Sequence, residues 1–328
     1  MRYTIILLFV VCFLTLFCAE VTDKDKLLRS TEILYEQGEY KKAAETIDKI
    51  VDQYDASQLV YFYGACTWAL AGDKDKALDY LEKTVDLGWL DYDLISEDKD
   101  LVSLKTESRY NEIISKLQVN LKKVEEKFSD KHNPLEIIQL PDPRYNSETS
   151  IEKSLLQRRS VRKYKDEPIT LEEISQILWA AYGVTKPIPN GPAFLRGGLK
   201  TAPSAGALYP LELYVTARNV TGLPAGIYKY KPEDHTLLKI FDGDVSTELA
   251  KAALDQPWVK EAPANIVYSA VFSRTTDKYG DRARERYVCM DLGHSAENIY
   301  LQCESLGLVT VAIGAFIDIN LKKVINMT

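Results

Sequence analysis

Apolar and small residues recur every three to four positions through the first third of the chain, and they do so twice in register. At an offset of 34 residues Gly38 aligns with Gly72, Lys42 with Lys76, Ala43 with Ala77, Ile47 with Leu81 and Val51 with Val85. Each unit predicts two amphipathic helices joined at Gly38-Glu39 or Gly72-Asp73, with Ala43 and Ala77 small enough for close helix approach. The repetition weakens after Gly88, and Asp91 to Leu117 predicts closing helices, so the repeat region spans 23–118. Lys122 to Lys131 is charged, and Asn133 to Tyr145 holds Pro134, Pro141 and Pro143. No helix interior tolerates such prolines, and 119–145 is expected to be a linker.

From 146 to 328 the periodicity alternates between helical and strand-like. Thr170-Leu171-Glu172-Glu173 is a capping box opening an amphipathic helix that runs to about Ala181 and stops at Gly183. Strand-like runs lie at Leu211 to Ala217, Gly226 to Tyr230, Ile266 to Phe272 and Val309 to Ile313, with a long helix from Arg284 to Leu306. This mixture predicts an α+β domain around one central sheet.

The 328 residues carry a formal net charge of −7, which disfavours sequence-independent nucleic-acid binding. Arg2, the apolar run Ile5 to Phe17 and the polar opening at Ala19-Glu20 read as a signal peptide over 1–19. An exported protein is expected, periplasmic or membrane-anchored on the extracytoplasmic side. Cys18 in Leu16-Phe17-Cys18 is similar to a lipobox, with Phe17 where a small residue is usual; a lipid anchor at Cys18 and simple cleavage after Ala19 both stand. Beyond the signal, Cys66, Cys289 and Cys303 are too few for a disulfide framework and read as buried structural thiols.

Three segments carry chemical signals. Arg158-Arg159-Ser160-Val161-Arg162 places three guanidiniums and a hydroxyl within five residues, an arrangement suited to a phosphate or to a solvated surface. Thr201 to Pro210 is rich in small residues before a strand, so that backbone amides and the Ser204 hydroxyl can approach a flat ligand, or simply form a tight loop. Val311-Ala312-Ile313-Gly314-Ala315-Phe316 reads as a buried strand that breaks at Gly314.

In this order, with Leu140-Pro141, Leu178 to Gly183, Gly226 to Tyr230 and Asp291-Leu292-Gly293-His294, these segments resemble the nitroreductase superfamily, in particular its SagB-type dehydrogenase branch. The resemblance implies a central, mostly antiparallel sheet flanked by helices, a homodimer with FMN at the subunit interface, and ping-pong hydride transfer. It implies Arg158, Arg159 and Arg162 near the FMN phosphate, Ser160 on the phosphate or ribityl chain, Pro203, Ser204, Ala205 and Gly206 against the flavin, and Gly314 and Ala315 near its redox edge. No metal site is expected, because the cofactor carries the chemistry. The 34-residue period resembles tetratricopeptide repeats. Tyr54, Tyr61, Tyr63, Trp68 and Tyr80 then either pack helix against helix or line a face for a protein or peptide partner.

Tyr209 and Tyr287 are candidate proton donors to substrate. His294, at helical spacing, reads either as catalytic or as a structural hydrogen-bonding residue. Azoline oxidases of this branch use a Lys-Tyr pair where Arg286-Tyr287 stands here, and arginine cannot act as a base, so that reaction is not expected. Without a Gly-x-Gly-x-x-Gly fingerprint after a strand no Rossmann domain for NAD(P) is expected; the resemblance implies instead that NAD(P)H meets the flavin directly as donor, with a nitro, quinone or enone-like compound as acceptor. The family pattern continues beyond the segment matching Phe316 to Val324, so a domain short at its C terminus is expected. The rival reading is a non-enzymatic exported tetratricopeptide adaptor with a degenerate reductase-like domain.

Overall fold

A computed structural model describes residues 23–129 and 136–325; the signal-peptide and lipid-anchor expectations fall on residues outside these. The chain divides into two compact units, one running to Asp86 and including Leu94–Ile113, the other comprising Leu87–Asp93 and everything from Ile114 onward.

The first unit is helical. Helices α1 (Asp23–Glu36) and α2 (Tyr40–Gln53) form one hairpin, and α3 (Gln58–Ala71) and α4 (Lys74–Asp86) a second. Both turns close the same way. Gly38 and Gly72 adopt left-handed φ of 76° and 87°, and the next residues, Glu39 and Asp73, donate back to Leu34 and Trp68 carbonyls at 2.9 and 3.0 Å. Ala43 and Ala77, the repeated small residues, are fully buried. Beneath the second hairpin Asp48 accepts hydrogen bonds from Trp68 Nε1 (3.0 Å), Tyr80 Oη (2.6 Å) and Lys76 Nζ (3.0 Å). Burial pushes its carboxyl up, but these donors outweigh burial and hold it below the ordinary carboxylate range. Of the repeat aromatics, Trp68 is thus core, Tyr61 and Tyr80 pack ring on ring at 5.6 Å, and Tyr63 is exposed. Helix α5 (Tyr92–Glu97) and the start of α6 (Ser108–Ser129) follow.

The second unit is built on a five-stranded, fully antiparallel sheet. Its strands are β1 (Ile137–Gln139), β5 (Leu211–Ala217), β7 (Gly226–Lys231), β8 (Thr236–Asp242) and β9 (Ala264–Ala270), in the order β1-β8-β7-β5-β9. Short pairs β2 (Ile169–Thr170) with β6 (Val220–Thr221), and β3 (Val184–Pro187) with β4 (Gly198–Lys200), lie outside it. Helices α7 (Ile151–Gln157), α8 (Leu171–Tyr182), α9 (Ser246–Ala252), α10 (Pro257–Glu261), α11 (Ser273–Tyr279), α12 (Arg282–Leu306) and α13 (Asp318–Val324) complete the unit.

Every residue of β5 is buried, as a central strand covered on both faces must be. Leu211, Leu213 and Val215 point into one core with Leu178 and Ala181 of α8 and Val288 of α12. Tyr214 points the other way, into a core with Leu249 of α9, Val259 of α10 and Val324 of α13. The expected capping box is present: Thr170 Oγ1 accepts from Glu173 N–H at 3.2 Å, and Glu173 accepts from Thr170 N–H at 2.7 Å.

Three local expectations change. Residues to Ser129 continue α6, and Ile137–Gln139 pairs with β8, so the proposed linker carries structure; Pro141 and Pro143 follow β1, outside any helix or strand. The run Val309 to Ile313 is not a strand, since along its length only Thr310 bridges a neighbour, Ser160. The Val311 to Phe316 segment is accordingly extended and partly exposed, not buried. Cys289 is exposed on α12, whereas Cys66 and Cys303 are buried.

His235, in the β7–β8 turn, lies 2.9 Å from Tyr230 Oη through Nδ1, and through Nε2 it lies 2.7 Å from Ser175 Oγ and 3.1 Å from the Pro141 carbonyl. The neutral Nε2–H tautomer satisfies all three, and burial holds the ring below its usual value despite the Pro141 carbonyl and Asp142. A depressed histidine stabilises the fold fully above its unfolded value of about 6.5, and that contribution is lost as pH falls below it. Urea midpoints taken between pH 7.5 and pH 5 are expected to fall for the wild type and to fall less for His235→Gln; parallel profiles would contradict this.

Gly64 of α3 lies against Tyr80, so that a Cβ there would sit 2.2 Å from the ring. The ring cannot swing aside without breaking its bond to Asp48. Helix propensity favours Gly64→Ala by about 1 kcal/mol, whereas overpacking costs about 1–3 kcal/mol. Net destabilisation in urea unfolding is expected, and a more stable variant would refute it.

Candidate functional site

Ser150 caps α7 by accepting from Lys153 N–H at 3.2 Å, and the helix ends at Arg158, whose φ/ψ of −50°/133° turns the chain extended. The next residues run beside Thr310, whose carbonyl accepts from Val161 N–H at 3.0 Å. The three guanidiniums are spread rather than neutralised. Arg158 lies 5.4 Å over the Tyr300 ring with one long ion pair to Glu297 (3.9 Å). Arg159 folds onto the carbonyls of Leu156 and Arg158 at 3.1 and 2.8 Å, and Arg162 lies 5.6 Å from the Trp258 ring. Such a set suits a phosphate, because forked donors bind its oxygens in pairs.

The Pro203 to Tyr209 loop is held by α12. Ser204 Oγ donates to Asp291 at 2.6 Å and accepts from Tyr209 N–H at 2.9 Å. Ala205 N–H reaches the other Asp291 oxygen at 3.4 Å, and His294 Nδ1 lies 3.4 Å from the Pro203 carbonyl, so His294 here makes a structural contact. Asp291 is itself buried, and burial raises its carboxyl against the lowering effect of Ser204. The clamp holds an unusual backbone: Gly206, Ala207 and Tyr209 have φ of 64°, 55° and 47°. At Gly206 the left-handed φ is what favours glycine; a Cβ there would meet only the ends of the Tyr279 and Lys278 side chains, at 2.7 and 3.0 Å.

The candidate tyrosines are placed differently. Tyr209 is buried, edge-on to Tyr182 at 5.9 Å, with its hydroxyl accepting from Lys200 N–H at 3.2 Å. Tyr287 is half-buried and packs at 5.0 Å on Tyr279, the residue beside Gly206.

In the third segment Gly314 and Ala315 are exposed, and the Ala315 carbonyl accepts from Gln256 Nε2 at 2.9 Å. Ala312 N–H donates at 2.8 Å to Tyr300 Oη, which also lies 2.9 Å from Ser160 Oγ. Helix α12 therefore touches all three segments: Asp291 and His294 hold the second, and Tyr300 joins the first to the third. The helix is anchored to α8 by Ser295 to the Ala181 carbonyl (2.7 Å) and Asn298 to the Ala180 carbonyl (3.0 Å).

Sequence reasoning missed Tyr300 entirely and gave Asp291 no role; an acid set between Met290 and Leu292 was the available signal. It also missed a charged cluster at the loop's end. Glu212, buried in β5, binds Lys229, Arg274 and Arg196. Burial pushes Glu212 up, but Lys229 and Arg274 prevail and hold it at about 2. Lys200, nearby between the Tyr182 and Tyr209 rings, is pushed down to about 8 by burial.

An antiparallel sheet with α8 and α12 on one face and three segments gathered along α12 defines an α+β domain with an anion-ready surface. The Nitroreductase family model matches residues 155–328. A protein of Methanocaldococcus jannaschii named as a candidate nitroreductase is 48% identical over 190 residues, 58% of this chain and 89% of that protein. An FMN reductase [NAD(P)H] of Bacillus subtilis is 25% identical over 174 residues, covering 50% of this chain and 53% of that protein. Among solved structures, a candidate nitroreductase from Anabaena variabilis matches with a TM-score of 0.50 and 25% identity, over 64% of this chain and 44% of that one. The chain belongs to the nitroreductase family and is an oxidoreductase.

Removing the buried Asp291 carboxylate leaves two donors of a partly buried loop without their acceptor, at a cost of about 1–3 kcal/mol. Asp291→Ala is expected to lower stability by that amount in urea unfolding and to speed proteolysis near Pro203. Wild-type behaviour on both counts would show that the clamp is not needed.

Proposed function

We propose that this oxidoreductase is FMN-dependent and belongs to the SagB-type branch, passing a hydride between NAD(P)H and a small nitro, quinone or enone-like acceptor. The observation that carries this reading is the meeting of the three segments along α12. Arg158, Arg159, Arg162 and Ser160 would hold the phosphate. Pro203, Ser204, Ala205 and Gly206 would lie against the flavin, with Gly314 and Ala315 offering backbone groups toward its redox edge. The bound flavin supplies the hydride chemistry; the chain binds, orients and shields it. Tyr287 is the better placed proton donor, because the Tyr209 hydroxyl is buried and engaged. The name of the Bacillus subtilis relative, which pairs FMN with NAD(P)H, supports the same cofactors.

A homodimer fits the exposed apolar side chains Ile151, Leu155 and Leu156 of α7 and Met290 of α12, since apolar surface of this kind marks association. The 34-residue helical hairpins support a tetratricopeptide-like unit able to take a protein or peptide partner. Export, to the periplasm or to a membrane-anchored site, rests on the amino-terminal pattern.

The purified full-length protein is expected to absorb in the visible and to release FMN on denaturation. Each guanidinium bond to a phosphate contributes about 1.5–3 kcal/mol, so an Arg158→Ala, Arg162→Ala double variant is expected to bind FMN at least tenfold more weakly. Stoichiometric flavin in that variant would overturn the assignment of this cluster.

A further inference from the structure

Tyr300 occupies the junction of the first and third segments. Its Oη accepts the Ala312 amide proton, so the phenol still has one proton to give, and Ser160 Oγ is 2.9 Å away. The segments that it joins are partly exposed and, among the described residues, bridge each other at Ser160 and Thr310, whereas α12 is fixed to the core through Ser295 and Asn298. The hydroxyl is therefore the fixed point, and the two segments are what it locates. The same ring carries the Arg158 guanidinium over its face.

We propose that Tyr300 is a positioning residue for the cofactor phosphate: it donates its proton to Ser160 Oγ, which turns the serine's own proton outward toward a phosphate oxygen. One side chain thus sets the direction of the Ser160 donor, seats Arg158, and keeps Ala312 to Ala315 alongside. The proposal rests on the FMN reading above. It adds a residue from outside the three segments, acting through Ser160 rather than by touching the ligand.

Tyr300→Phe tests it, because phenylalanine keeps the ring under Arg158 and deletes only the hydroxyl. Full-length protein stripped of flavin is titrated with FMN and with riboflavin, which lacks the phosphate, following the quenching of flavin fluorescence. Wild-type protein that binds neither would sink the FMN reading itself. Given wild-type binding, Tyr300→Phe is expected to weaken FMN about three- to tenfold, the size of one net hydrogen bond, and to leave riboflavin unchanged. Equal loss of both ligands would mean general distortion, and unchanged FMN affinity would mean no role; either result overturns the proposal.

Ser160→Ala, on an exposed segment where folding is not at stake, is expected to show the same selective loss. The double variant is expected to be no weaker than the weaker single one, because the two hydroxyls act as a unit. An unaffected Ser160→Ala, or additive losses in the double variant, would likewise refute it. Should Tyr300→Phe fail to fold, Ser160→Ala alone still decides, since FMN binding at the wild-type level there is incompatible with the proposal.

Discussion

Loops that carry exposed backbone donors stay in one arrangement only if something rigid satisfies those donors, and in the second unit that element is α12. Its Asp291 carboxylate binds the Ser204 hydroxyl and the Ala205 amide, and its Tyr300 hydroxyl binds the Ala312 amide and Ser160. Asp291 and Tyr300 are nine residues apart, which places them about half a turn from one another around the helix. The helix consequently works on both sides, and it can do so because Ser295 and Asn298 tie it to α8 and so to the sheet.

The charge arrangement follows a similar division. In β5 the carboxylate of Glu212 is buried, yet it is surrounded by Lys229, Arg274 and Arg196 and stays ionised. The buried Glu212 charge is thus met by its cations and acts as structure; removing those partners would leave a buried charge in a low dielectric. The Arg158, Arg159 and Arg162 set differs, with guanidiniums placed on rings and carbonyls and, among the described residues, one long ion pair. Uncompensated cations at a point where three loops meet are what an anionic ligand requires.

The helical unit shows how repetition in a sequence becomes repetition in energy terms. Gly38 and Gly72 end helices with the same pair of backbone bonds, and Ala43 and Ala77 are buried at equivalent places. The second hairpin is tied to the first through Asp48 of α2, whose three donors come from α3 and α4; this fixes Tyr80 where it excludes any side chain at position 64.

Local signals determined much of this. The capping box at Thr170, the two hairpin turns, the central strands at 211 and 226 and the long helix to Leu306 all rest on periodicity and cap chemistry within a dozen residues, and the candidate segments were legible as compositional oddities. What the sequence could not determine depends on partners distant along the chain. Whether Val309 to Ile313 forms a strand is decided by whether another strand lies beside it, and only Ser160 does. The edge strand at Ile137 exists because β8 offers it a ladder. Tyr209 and Tyr287 look alike as residues, and burial together with the Lys200 amide on the Tyr209 hydroxyl separates them. The role of Tyr300 arises from two contacts 140 and 12 residues away, because a hydroxyl's partners are set by where the fold brings other chains of atoms, not by its neighbours in sequence.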